Sequence, residues 1–519
     1  MIPDVRSAYD ASARPSAEKL MLKSILPASL LALLIPVNVV ANSPRTDRMS
    51  AASSPQDQKG LAEADIKKMV DVLSVMLSPK EKDGKEFKPD AKKIDAAAVE
   101  YEKEIERLKK AYGETLVSDV VGWGEISHRL RTTHGIKSPS GFGSVQEAKL
   151  DVDRAALRLQ FTYAFVLPQG YDPKKKFPLI VCLHDDSDSD KEYSGAKYLN
   201  EVMLKAPKEL KDQYLFMAPN LGPKAAGKDV RIEFGDDNQF INVYAPIREM
   251  LLRYSVDVDR VYVEGTGRGG ELAANLVAYK PQQWAAAAIR SAVPRKPGLM
   301  ANAVDVPLEY HFRQGGKAAN AKDAVTEIEK QKAAGLPVAV VAYDPLAPNL
   351  EQRARAGMGT DPVHDASAAI LKFFADKRRR TPPKSFDFST DKPMFGTAYW
   401  SRITKADWEL GAKLSIKLDV AKNEIDVKTE HIEEFRLLFH DAIVDLGRPV
   451  KVTVNGKVLS DGKLERSLDE YLKNWRGNRV DPWFVPCAQL DLVVPIEEKA
   501  AEKPADKPAD GAEAGKTGG

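Results

Sequence analysis

A glycine stands where chemistry would call for a side chain. Gly265-Thr266-Gly267-Arg268-Gly269 lies between an apolar run, Val261-Tyr262-Val263, and a helix-compatible run, Glu271 to Ala278. A strand, a sharp turn with the spacing G-x-S-x-G and a helix together present a nucleophilic serine for acyl transfer. Here the outer glycines are Gly265 and Gly269, and the apex is Gly267, which has nothing to attack a carbonyl with. Thr266 does not replace it, because its hydroxyl is one residue off the apex and the turn presents only the apex side chain. Backbone N–H groups at the helix start near Gly269 favour a carboxylate or phosphate, and an apex without a side chain implies a wider mouth.

A second cluster is acidic. Asp185, Asp186, Asp188 and Asp190 follow His184, and Asp186-x-Asp188-x-Asp190 has the first three oxygen positions of a calcium loop. The sixth position is Lys191 instead of glycine and the twelfth is Lys197 instead of glutamate, so a solvated acidic loop is the better reading. Carboxylates beside Gly269 would oppose an anionic ligand there, unless the loop turns outward. The histidines show no metal-ligand spacing, and neither a metal nor a cofactor is expected.

The elements that must position these residues can be read along the chain. At 519 residues, length suggests about three units. The 77 basic and 75 acidic residues leave a net charge of +2, with no clustered basic excess of the kind nucleic acid requires. Lys377-Arg378-Arg379-Arg380 reads as a solvated helix end facing the negative pole of the helix dipole. Lys19 and Lys23 precede the apolar stretch Ile25 to Val40, with Val39 and Ala41 at −3 and −1 of a cleavage site before Asn42. This reads as a signal peptide over 1–41, with Met21 a more usual start than Met1, and implies export to a periplasm or outside the cell. No stable membrane insertion is expected after cleavage.

Residues 42–60 are polar and are expected to be disordered. Ile66, Met69, Val70, Leu73 and Leu77, then Ile94, Ala98, Tyr101, Ile105, Leu108 and Tyr112, recur at helical spacing, the second set ending at Gly113 as a C-cap. These predict an amphipathic helix pair within 61–150, packing on each other or on the domain behind. Over 151–380, strands at Leu157–Leu167, Pro178–Leu183, Tyr214–Ala218, Val261–Val263, Ala285–Ala292, Leu308–Phe312 and Val338–Tyr343 alternate with helices at Tyr193–Leu204, Tyr244–Tyr254, Glu271–Ala278, Asp323–Ala334 and Ala366–Ala375. That alternation predicts an α/β fold with a mostly parallel sheet covered on both faces. After Thr381-Pro382-Pro383 the period becomes two, which predicts a small β-sandwich over 384–496 with a type I′ hairpin at Asn455-Gly456. The tail, 497–519, is too poor in apolar residues to fold. Cys182 and Cys487 each lie in an apolar strand-like run and are expected as core thiols.

Tyr171-Asp172-Pro173, Phe177-Pro178-Leu179-Ile180-Val181-Cys182-Leu183-His184, Ala218-Pro219-Asn220 and Val258-Asp259-Arg260-Val261-Tyr262-Val263 with the glycine turn resemble the secreted esterases of the α/β-hydrolase superfamily. The resemblance covers residues 160–380, and the terminal β-domain is similar to one appended to some bacterial exported esterases. It implies an α/β-hydrolase sheet, with Gly267 at the nucleophile position and His364 at the position of the family's histidine. Where the family has glycines after its first histidine, this chain has the aspartates after His184. Where the family places an aspartate after the strand 308–312, this chain has Gly315-Gly316-Lys317, and the next acid, Asp323, falls on the following helix.

These departures make an exported pseudoenzyme the leading expectation, a binding or scaffolding protein for a small molecule or an envelope partner. Its vestigial or binding positions would be Gly265, Gly267, Arg268, Gly269, His184, Asp185 and His364. The alternatives are a working esterase or peptidase-like hydrolase with a displaced nucleophile, for which Ser187, Ser189 and Ser291 are candidates, and a purely structural envelope protein.

Overall fold

The structure, a computed structural model, describes residues 61–76, 81–82, 85–86, 91–113, 125–126, 129, 141–154, 157–185, 194–221, 238–294, 296–313, 321–343, 363–379, 382–440, 443–467, 470, 474 and 485–495. The expected signal peptide, the polar stretch 42–60, Asp186, Ser187, Asp188, Ser189, Asp190, Gly315 to Lys317 and the tail lie outside the described residues.

Helix α1 (Glu63–Met76) and helix α2 (Ala91–Tyr112) form where the apolar spacing predicts them, and Gly113 ends α2 with φ +57°. Their stripes meet each other through Met69, Leu73, Tyr101, Ile105 and Leu108. The cluster is continuous with residues from the far end of the chain, among them Trp400, Leu414, Val427 and Leu437. The helix pair thus shares a core with the C-terminal sandwich, a partner its place in the sequence does not suggest.

The central sheet has eight strands: β1 (Gln146–Arg154), β2 (Leu157–Val166), β3 (Phe177–Leu183), β4 (Leu215–Pro219), β5 (Val256–Thr266), β6 (Ala286–Arg290), β7 (Leu308–Arg313) and β8 (Val338–Tyr343). Their spatial order is β1-β2-β4-β3-β5-β6-β7-β8. The pairs β1–β2 and β2–β4 are antiparallel and the others parallel. With the crossover helices this is the α/β-hydrolase fold that the resemblance implied. Helices α3 (Gly195–Glu201), α4 (Asn238–Arg253), α5 (Arg268–Tyr279), α6 (Ala321–Ala333) and α7 (Val363–Phe374) intervene between the strands or follow them. One face of the sheet packs Leu179, Val181, Val263 and Ile289 against α4 and α5. The other packs Ile180, Cys182, Tyr262 and Ala288 against α3 and α7. Burial on both faces makes β3 and β6 nearly unbroken apolar runs.

Beyond α7, two sheets enclose a common core. One has the order β9 (Ser385–Thr390), β12 (Ala412–Asp419), β13 (Glu424–Glu430), β15 (Val450–Val454) and β16 (Lys457–Gly462). The other has β10 (Thr397–Ala398), β11 (Ser401–Ala406), β14 (Ile432–Phe439) and β17 (Ala488–Val493). All pairs are antiparallel except β13–β15. Along β12 the burial alternates strictly, as one solvated and one packed face require. Asn455 and Gly456, at φ +49° and +80°, make the expected turn between β15 and β16. Among the described residues no helix is long and apolar enough to cross a membrane.

Both cysteines are buried thiols that form no disulfide. Burial, and then the negative charge of Glu264, push the Cys182 thiol well above its ordinary range, so the reactive thiolate is scarce. A disulfide-exchange reagent is expected to label neither cysteine quickly in the native protein and both after denaturation. Rapid native labelling of Cys182 would contradict this packing.

Candidate functional site

The elbow is present in full backbone detail. β5 runs out at Thr266, Gly267 adopts φ +55° and ψ −121°, and α5 begins at Arg268. The turn closes with the Gly267 N–H donating to Arg290 O at 3.0 Å and the Glu271 N–H to Gly267 O at 3.0 Å. Gly265 and Gly269 are required by packing: a Cβ at 265 would strike the backbone of Gly269, and one at 269 the carbonyls of Leu183 and His184. Thr266 points away from the apex side, its Oγ1 3.0 Å from the Tyr198 hydroxyl.

The space at the apex is occupied. A Cβ built on Gly267 would overlap both carboxylate oxygens of Asp185. Asp185 Oδ1 accepts the Arg268 N–H at 2.9 Å. In an active elbow the N–H of the residue after the nucleophile is an oxyanion donor. Here that donor is held by the chain's own carboxylate, favourably placed at the positive end of α5. The wider mouth expected from a bare apex is therefore not found: Asp185, reaching in from the end of β3, fills the space a side chain would have taken. The acidic loop turns inward at this residue, and the anion favoured at the helix start is Asp185 itself.

His184 fixes that arrangement. Its Nε2 accepts the Leu221 N–H at 2.8 Å, so the ring proton is on Nδ1, which donates to Asp185 O at 2.8 Å. The ring is buried and clamps the ends of β3 and β4 together. Asn220 supports the same corner: its Oδ1 accepts the Gly195 N–H at 2.7 Å, and its Nδ2 donates to Thr162 Oγ1 at 2.6 Å.

Of the other expected residues, His364 falls in the first turn of α7, and its side chain lies outside what is described. Asp323 falls on α6, as expected. Ser291 is exposed, just past β6, with φ +50°. No group of three or more histidine, cysteine or carboxylate side chains able to hold a metal ion occurs among the described residues.

Behind the elbow lies a buried polar cluster that the sequence reading missed. Glu264 Oε2 sits 3.2 Å from Arg290 Nε and accepts from the Tyr198 hydroxyl at 2.9 Å. Arg290 also reaches Ser367 Oγ on α7 and the Met203 sulfur. On β7, His311 Nε2 lies 2.7 Å from Glu309 Oε1. Burial pushes the Glu264 carboxyl up, against the pull of the Arg290 charge, and pushes the His311 ring down, against the pull of Glu309. The signal was faint: Glu264 follows the apolar run Val261–Val263 and Arg290 ends the run Ala286–Ile289, while Glu309 and His311 alternate with Leu308, Tyr310 and Phe312. Register places Arg290 opposite both Thr266 and His311. The cluster ties β5, β6, α3 and α7 together beneath the turn.

No family model matches this chain, nor does any curated protein sequence. Solved structures similar to it include a thermostable esterase, at 17% identity and TM-score 0.35 over 45% of this chain and 63% of the esterase. The S-formylglutathione hydrolase of Agrobacterium tumefaciens aligns at 13% identity and TM-score 0.34, over 47% of this chain and 98% of its own. The S-formylglutathione hydrolase FrmB of Staphylococcus aureus aligns at 12% and 0.33, over 46% and 100%. Each covers less than half of this chain, and the fold stated above rests on strand order and the elbow.

Proposed function

We propose that this protein is an α/β-hydrolase-fold binding or scaffolding protein that does not carry out serine acyl transfer. One observation carries the reading: at the elbow apex there is a glycine, and the Asp185 carboxylate stands in the missing side chain's place with the adjacent oxyanion donor already engaged. Loss of a triad serine costs roughly a million-fold in turnover. A fixed carboxylate beside the same N–H opposes the negative charge that acyl transfer must develop there. A small anionic molecule is disfavoured as the ligand at this position, and a neutral ligand or an envelope protein fits better. The charged and apolar pattern of residues 19–41 supports export to a periplasm or beyond the cell.

The test uses the purified protein with a short-chain nitrophenyl ester and a serine-directed fluorophosphonate. Turnover at the buffer rate and no adduct by intact mass are expected. A stoichiometric adduct on one serine, or turnover abolished by His364→Ala, would overturn the proposal in favour of a hydrolase with a displaced nucleophile.

A further inference from the structure

The helix that begins at the elbow ends against the C-terminal sandwich. Lys280, the residue after α5, is only 8% exposed. Its Nζ donates to Thr397 O at 3.2 Å and lies 5.7 Å from the centre of the Phe395 ring. Phe395 belongs to the core beneath the hydrolase sheet and stacks on Tyr279, ring centres 4.6 Å apart. Asp391 accepts from the Tyr279 hydroxyl at 2.7 Å and pairs with Lys296. Asn302 bonds the backbone of Ser389 in both directions, at 2.8 and 2.9 Å. Gln282 Nε2 donates to the same Thr397 carbonyl at 3.1 Å.

Lys280 differs from its neighbours. Among the described residues its Nζ has a carbonyl and a ring to face, and no carboxylate. From β11 the Arg402 guanidinium faces it, itself beside Arg436 of β14, whose own carboxylate partner is Asp491. From the turn Pro281–Gln283 the facing group is the neutral Gln282, whose carbonyl is reached by Arg379, and Arg379 pairs with Asp259. Asp391, on the approach to β10, is held by Tyr279 and Lys296. Burying a charged ammonium opposite a guanidinium is costly, and burying the neutral amine, still donating to Thr397 O, costs far less.

We propose that the seat of the C-terminal sandwich on α5 is a proton-sensitive contact, weakest when Lys280 carries its charge and tightest when Lys280 is neutral. Burial, reinforced by Arg402, pushes the Lys280 amine down to about 7 from its ordinary 10.5. The seated form therefore binds fewer protons than the released form between those two values. Seating strengthens as pH rises from about 7 towards about 10, by up to about tenfold per pH unit, and is pH-independent from this group below about 7, where both forms are charged.

Hydrogen–deuterium exchange of the full chain tests this, read on peptides covering residues 386–402 and corrected for the intrinsic pH dependence of exchange. Protection of the wild type is expected to rise about tenfold between about pH 7.5 and about pH 8.5. Lys280→Met is expected to show the high, alkaline level at both values, and Lys280→Arg the low level at both. If Lys280→Met fails to fold, the wild type against Lys280→Arg decides. Equal pH profiles for wild type and either variant would overturn the proposal, as would a wild-type protection that does not change with pH.

Discussion

Gly267→Ser is expected to give a protein that is less stable and still inactive towards nitrophenyl esters. Two separate costs arise. At φ +55° and ψ −121° an L side chain is strained, at about 1–3 kcal/mol. The new Cβ also takes the space of the Asp185 carboxylate, which can rotate out only by releasing the Arg268 N–H, a helix cap worth about 1 kcal/mol. Together they lower the unfolding free energy by about 2–4 kcal/mol, read as a fall in the urea midpoint of the transition that includes the central sheet. The double variant Gly267→Ser with Asp185→Gly relieves the collision and recovers part of the loss in stability. Neither variant is expected to turn over ester, because a serine still needs a base held by an acid. Turnover above about a thousandth of an ordinary esterase's rate in the double variant would show that such a pair lies within reach of residue 267.

Glu264→Ala is expected to be more damaging, although the residue contacts no ligand. It leaves the Arg290 guanidinium buried beside β5 without its counter-charge, and removes an acceptor from Tyr198. Breaking one member of a buried ion pair costs about 3–5 kcal/mol. Replacing both partners, Glu264→Met with Arg290→Met, is expected to cost much less, because two apolar groups leave no orphaned charge. The comparison is read in melting temperature. A single variant as stable as the wild type would mean that Glu264 and Arg290 do not depend on each other.

Most of the sheet is legible in the sequence because strands buried on both faces are written in apolar letters. Phe177–Leu183 and Ala286–Arg290 announce themselves in this way. The strand Gln146–Arg154 does not: it pairs on one side only, at the sheet's edge, and carries Ala148, Leu150 and Val152 singly between charged residues, with no apolar run to mark it. Ser385–Ala406 is likewise broken into short pieces by Pro393. The helix expected to start at Tyr244 starts at Asn238 and runs through Pro246. Ile241, Val243, Ile247 and Met250 are buried along it, and that burial outweighs the roughly 3 kcal/mol an internal proline costs. At the site, the glycine spacing gave away the elbow, since two close backbone approaches, at Gly265 and Gly269, admit nothing larger. What fills the apex was not legible, because the contact joins residues 83 positions apart through one side chain. The polar cluster around Arg290 was hidden for the same reason: each member looks like an accident in its own strand, and only register makes them neighbours.

The fit between Gly267 and Asp185 also constrains how this chain can vary. Serine introduced at the apex meets an occupied position, while losing the aspartate first strips α5 of its cap and leaves a hollow that glycine cannot fill. A route by single substitutions from this chain to a seryl elbow therefore crosses a less stable intermediate in either order. The two positions should change as a pair or stay as they are.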